Sequence, residues 1–208
     1  MIIHFIETMK KRLLIALLAV CVASFAWAND GVYYVQGNQL IPLHETDISV
    51  EKEVLTISLC DDGYAQVDVQ YEFLNHGADK VVDMGFEASS PYNTGDSINP
   101  LGGHPYIYQF KVEMNGERLN YTNAVVEPGQ FDKPFRMPED EDERDFARYS
   151  YVYCFKAPFH AGLNRVHHTY RYRMSYGVGR TFEVPYWLTP AASWKGGSIG
   201  DFTLRICA

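Results

Sequence analysis

The sequence predicts an all-β fold, an antiparallel two-sheet β-sandwich of immunoglobulin-like architecture with long loops. Three observations carry that prediction. Apolar and polar residues alternate over several short stretches, most clearly from Arg165 to Tyr176. There Val166, His168, Tyr170, Tyr172, Met174 and Tyr176 share one face, and Arg165, His167, Thr169, Arg171 and Arg173 share the other. Such a period of two marks a strand with one dry and one wet face. Turn residues punctuate these stretches at Asp61-Asp62-Gly63, Asn75-His76-Gly77 and Asn115-Gly116, as hairpins require. No segment of about a dozen residues carries the helical apolar repeat of about 3.6. Polar-out alternation in short strands favours two packed sheets over a closed barrel.

The N-terminus sets the expected compartment. Lys10, Lys11 and Arg12 precede an apolar run from Leu13 to Ser24, and Ala26-Trp27-Ala28 is a small-x-small cleavage site. This pattern predicts a bacterial signal peptide over residues 1–28, cut near Ala28, and export to the periplasm or cell surface. The apolar run is shorter than the ~20 residues of a membrane-spanning helix, so no span is expected in the mature chain. Residues 29–208 are then a single β-sandwich domain. The formal charge of −8 becomes more negative once the three leader cations go, which argues against nucleic acid and anionic membranes as partners.

Strands are expected in order as follows. Gly31 to Leu43 reads as a hairpin turning at Gly37-Asn38, with Pro42 placing its second arm at a sheet edge. Ile48–Cys60 and Tyr64–Leu74 form the next pair, followed by Val81–Phe86. Residues 87–105 and 128–144 are loops, the second acidic. Between them Tyr106–Met114 and Leu119–Val126 flank Asn115-Gly116, with Tyr108, Phe110, Val112 and Met114 on one face. Tyr149–Phe155 and Arg165–Tyr176 read as a long central hairpin-like pair. Phe182–Leu188 is interrupted by Pro185, and Phe202–Ile206 begins a last strand. The ending at Ala208 reads as mid-strand, an expectation of further chain.

Several residues could carry chemistry. His104, His160 and His167 are the candidate metal ligands, with the six carboxylates between Glu139 and Asp145 as partners for a metal-dependent hydrolase. Against this, His167 and His168 are neighbours on a strand and point to opposite faces. The acidic run lacks calcium-loop spacing and reads as solvated. No nucleophile elbow or cofactor fingerprint occurs, so no cofactor is implied. Loop aromatics Trp194, Tyr92 and Tyr106 are the candidate ligand contacts, because amphipathic rings on a β-module suit a glycan or an envelope protein; for Trp194 a capping role at the end of the sandwich is the equal alternative. Tyr149, Tyr151 and Tyr153 share a strand face and are expected to fill the core. Export would permit a Cys60–Cys154 disulfide, with unpaired buried thiols as the alternative.

Two sets of phrases resemble a family of exported bacterial proteins known only as a domain of unknown function. One set is Asp30–Val35, Gly37–Leu43, Glu45–Leu55 and Tyr71–Gly77. The other is Trp187–Phe202 with its Ser193-Trp194-Lys195-Gly196-Gly197 core. Some members carry an added C-terminal domain with a Tyr-Ala-Arg-His-Gly signature, which has no counterpart here. The resemblance implies an envelope location and a β-rich domain, and it supplies no catalytic residue. Residues and resemblance together predict a non-catalytic binding or structural module, with the hydrolase as the alternative.

Overall fold

A computed structural model describes residues 38–43, 47–89, 103–140, 143, 147–176, 182–183, 186 and 189–208. All belong to one compact unit, Val32–Ala208. In chain order the strands are β1 (Asn38–Pro42), β2 (Ile48–Leu59), β3 (Tyr64–Asn75), β4 (Lys80–Ser89), β5 (Ile107–Met114), β6 (Glu117–Arg118), β7 (Tyr121–Glu127), β8 (Gln130–Pro134), β9 (Ser150–Phe159), β10 (Gly162–Arg173), β11 (Ser175–Tyr176), β12 (Phe182–Glu183) and β13 (Ile199–Cys207), with a short 3-10 helix at Thr189–Ser193 before the last. One sheet has the order β1-β4-β9-β7-β8 and the other β13-β2-β3-β10-β5-β6; β11 and β12 form a small ribbon. The fold is the expected all-β, two-sheet packing. One pairing departs from antiparallel: β13 runs parallel to β2.

The expected hairpin between Tyr149–Phe155 and Arg165–Tyr176 does not form. β9 pairs with β4 and β7, whereas β10 pairs with β3 and β5. The two strands occupy the central slots of opposite sheets. Their dry faces meet across the core instead of lying edge to edge. Tyr151, Tyr153, Phe155, Ala157 and Phe159 on β9 and Val166, His168, Tyr170 and Tyr172 on β10 are all buried. Phe86 of β4 and Phe110 of β5 bridge them, with Phe86 4.9 Å from both Phe110 and Tyr170, and Phe110 4.8 Å from Tyr153. Each such ring removed from water contributes about 1.5–3 kcal/mol.

The chain changes sheet where a hairpin was expected because His160 to Asn164 is pinned as a corner. Asn164, fully buried, accepts from the His160 N–H at 3.0 Å and donates to the His160 and Gly162 carbonyls at 2.8 and 2.9 Å. Asn75, at the matching β3 exit, donates to the carbonyls of Ala78 and His160 at 2.9 and 3.1 Å. The two sheet crossings are thus tied to each other. Asn115 adds a third connection through its Nδ2 to Asn164 Oδ1 at 3.0 Å. It stands at φ 52 and Gly116 at φ 88, the doubly left-handed turn that an Asn-Gly pair favours. After the short β6 the chain leaves that sheet, and β7 pairs with β9 instead of prolonging the hairpin.

Two bulges shift the strand faces. On β5 the register slips opposite Thr169 and Arg171, with Gln109 at φ 55. Ile107 therefore turns inward, and Tyr108 lies 41% exposed, not on the dry face with Phe110. On β2 the slip falls between Val50 and Lys52. It moves the buried set from Ile48 and Val50 to Glu53, Leu55 and Ile57. Pro42 lies in β1, at the sheet edge as expected.

Tyr170→Asp places an unpaired charge in the core and should cost more than about 4 kcal/mol, unfolding the domain. Arg171 lies on the wet face, bonded to Asp62 and stacked on Tyr64, so Arg171→Ala should move the urea midpoint only slightly. The reverse ranking would mean the faces of β10 are inverted. Asn164→Ala takes this partner from the His160 N–H, the Gly162 carbonyl and Asn115 Nδ2, while the His160 carbonyl keeps its bond from Asn75; it should cost about 2–4 kcal/mol in the same assay.

Candidate functional site

The three candidate ligand histidines lie apart, and each already serves the fold. His104 is buried before β5. Its Nδ1 accepts from the Tyr106 N–H at 3.1 Å, so Nε2 carries the proton and donates to the Ser89 carbonyl at 3.0 Å. Its own N–H donates to Tyr153 Oη, and its ring sits edge-on to Tyr151 at 5.0 Å. Both nitrogens are used and the ring is held neutral, with burial lowering its pKa to about 4. His160 lies at the exposed corner, its Nδ1 3.0 Å from Asp79 Oδ2. That carboxylate also accepts from the Ala161 N–H and is held below its ordinary range by these bonds. His167 projects from the wet face of β10. Its Nε2 meets Asp68 at 2.9 Å and its Nδ1 lies 4.0 Å from Glu113. Those carboxylates flank opposite nitrogens of one ring and cannot share an ion with it.

Among the described residues, no three His, Cys, Asp or Glu side chains converge as a metal site. The proposed acidic partners fall mostly outside the described residues; Glu139, Asp140 and Glu143 are described, and all are exposed. Cys60 and Cys154 are free thiols. They belong to different sheets, and Cys154 shares the outer face of β9 with Lys156, opposite the inward aromatics. Of the two readings, a disulfide or unpaired thiols, this is the unpaired one.

The aromatic candidates also move. Trp194 is only 4% exposed, 4.5 Å from Phe73 and 6.5 Å from Phe159. It plugs the end of the sandwich, which is the capping role held as the alternative to an exposed contact. Flanking Ser193 and Lys195 made it look exposed, yet the Trp194 N–H donates to Ala191 and the Lys195 N–H to Ile48, turning the ring inward. Tyr106 is buried beside His104. Tyr92 lies outside the described residues. Tyr149, Tyr151 and Tyr153 are buried as expected.

Over the Trp194 plug lies an open cleft of about 800 Å³, bounded by Asp47, Lys80, Asp83, Lys195 and the apolar Val81 and Val82. Lys80 bonds Asp47, and Lys156 bonds Asp83 at 2.7 Å. The lining thus mixes charges of both signs with the apolar Val81 and Val82. It offers hydrogen bonds and charge of both signs, but no activated nucleophile or base. A second, polar depression of about 590 Å³ lies on the outer face of the six-stranded sheet. Arg165, Glu72 and Lys52 of that depression continue to Asp201 on β13 as one row across four strands, each cation beside a carboxylate.

One buried polar group went unnoticed in the alternation pattern. The β2 bulge turns Glu53 into the core, where it is 3% exposed. Tyr186 Oη donates to its Oε1 at 2.6 Å, and Tyr71 Oη lies 3.0 Å from Tyr186 Oη. Burial raises the Glu53 carboxyl above its ordinary range, the two tyrosine bonds pulling the other way. His168 stacks on Tyr71 at 5.7 Å. Among the described residues neither of its ring nitrogens has a hydrogen-bond partner, and burial lowers its pKa to about 3. The parity change between Ile48/Val50 and Leu55/Ile57 was the readable signal for Glu53.

No protein-family model matches the chain, and no curated protein matches it. The fold is similar to the crystal structure of a "putative nutrient binding protein" from Legionella pneumophila subsp. pneumophila, with a TM-score of 0.60 and 20% sequence identity. The likeness covers 80% of this chain and 52% of that one, so the chain spans about half the length of that neighbour.

His104 and His168 are neutral when folded and gain protons when unfolded below their ordinary value of 6.5. Their contribution to stability is therefore full above pH 6.5. It is lost as pH falls toward about 4 for His104 and about 3 for His168. Urea midpoints measured across this range should decline on the acid side. His168→Phe should raise the midpoint and flatten that decline, since it removes a buried group with no partner. His104→Phe should lower the midpoint throughout, because it strands the Ser89 carbonyl and the Tyr106 N–H. An unchanged acid limb in His168→Phe would contradict the assignment.

Proposed function

We propose that the chain is an exported, non-catalytic binding or structural module of the bacterial envelope, meeting a glycan or an envelope protein at the end cleft over Trp194. One observation carries the reading. His104, His160 and His167 are each committed to the protein's own hydrogen bonds, whereas the end cleft is open and rimmed by Asp47, Lys80, Asp83 and Lys195. Charges of both signs beside apolar side chains suit a polar ligand held by orientation instead of by reaction. The fold likeness to a protein described in terms of nutrient binding is in keeping with a ligand-holding role.

Thermal unfolding with soluble oligosaccharides and short zwitterionic peptides tests the cleft. A ligand at about a hundred times its Kd should raise Tm by about 5–10 °C. Lys195→Glu should abolish that rise while leaving the unliganded Tm nearly unchanged. Stoichiometric zinc or calcium in purified protein, lost on His160→Ala, would instead support the hydrolase. Export is tested by N-terminal sequencing of protein from the periplasmic fraction. A start at Asn29 is expected; retention of residues 1–28 in the cytoplasm would contradict it.

A further inference from the structure

Sheet edges are sites of unwanted pairing, and proteins blunt them with proline, lysine, bulges or very short strands. Three outer strands here are blunted in these ways. β1 carries Pro42, β8 carries Lys133 and Pro134, and β6 is two residues long. The fourth, β13, is not. It is nine residues long, contains no proline or lysine, and pairs on one side alone among the described residues. Gly200 lets it dock closely on the β2 bulge, since a Cβ there would sit 2.6 Å from the Glu51 carbonyl oxygen.

Among the described residues nothing covers the core-side face of β13 either. Phe202, Leu204 and Ile206 are 36, 50 and 66% exposed. Their register partners on β2 are Glu53, Leu55 and Ile57, all buried. The covering layer therefore stops at β2, and the apolar strip continues past it. Leu59 extends the strip at 39% exposed.

We propose that β13 pairs antiparallel with β13 of a second copy, about a two-fold axis at Thr203, joining the two six-stranded sheets into one. The occupant follows from charge and side-chain type. In that register Asp201 of each copy faces Arg205 of the other, giving two ion pairs on the wet face, and Thr203 faces Thr203. On the dry face Phe202 meets Leu204 of the other copy, twice. Opposite charges, threonine pairs and aromatic–aliphatic pairs are the favourable cross-strand combinations. The strand is thus complementary to itself, as a closed two-fold interface requires. Asp201 also keeps Lys52 at 3.4 Å, a contact on its own sheet that leaves its outer side open, the residue being exposed.

Sedimentation velocity on the purified protein, up to about 100 µM, tests the pairing. A dimer is expected. Leu204→Lys, at an exposed position, should give a monomer with an unchanged circular dichroism spectrum. Asp201→Arg should weaken the dimer by about tenfold, and Asp201→Arg with Arg205→Asp should restore it. With Cys60, Cys154 and Cys207 changed to Ser, Thr203→Cys should crosslink to itself on oxidation, since opposed strand positions lie within disulfide range. A wild-type monomer throughout this range would overturn the proposal, as would a dimer that Leu204→Lys leaves intact. Dimerisation with no Thr203→Cys crosslink would overturn the register.

Discussion

The constraint on which the structure depends is that two strands joined by a tight corner must lie in different sheets. β9 and β10 are separated by Ala161 and its neighbour His160. Each nevertheless takes the central slot of its own sheet, and their dry faces meet across a core of about 10 Å. The corner needs a rigid polar bracket, because the chain must turn through the layer with its backbone groups satisfied. Asn75 and Asn164 supply it from the two crossing points. With the bracket in place, β10 can insert between β3 and β5, and β9 between β4 and β7. Most pairings in both sheets are therefore non-local, which is a slow topology to assemble.

The same topology governs the chemistry. A hairpin of β9 and β10 would have brought His160, His167 and the acidic loop toward one sheet face. Crossing between sheets leaves His104 behind the five-stranded sheet, His160 at the corner and His167 on the far wet face. Each then finds a carboxylate or a backbone group nearby. Among the described residues, a cleft lies open over the Trp194 plug at the end of the sandwich, a shallower depression lies on the outer face of the six-stranded sheet, and the flank at β13 is exposed.

Much of this was legible in the sequence. Period-two alternation located β2, β3, β5, β9 and β10 and the buried face of β10, because a strand exposes its pattern directly. Pro42 marked an edge, and Asn115-Gly116 marked a left-handed turn. Three things were hidden for physical reasons. A bulge adds a residue without changing residue types, so Tyr108 was assigned inward and Glu53 escaped notice. Sheet membership depends on which strands meet in space, and a break such as Ala157–Asn164 reads alike as a hairpin loop or a crossing. Burial of loop aromatics depends on where the loop folds, so Tyr106 looked like a surface contact and Trp194 was readable equally as a contact or as a cap, although both are core.

Inter-strand nuclear Overhauser effects between backbone protons test the crossing most directly. The arrangement predicts contacts from Val166 to Tyr71 and Met114, and from Tyr153 to Phe86 and Asn123, with none between the backbones of β9 and β10 beyond the corner. A ladder of backbone contacts running along β9 and β10 would contradict it. It would restore the hairpin and bring the histidines back toward a single surface.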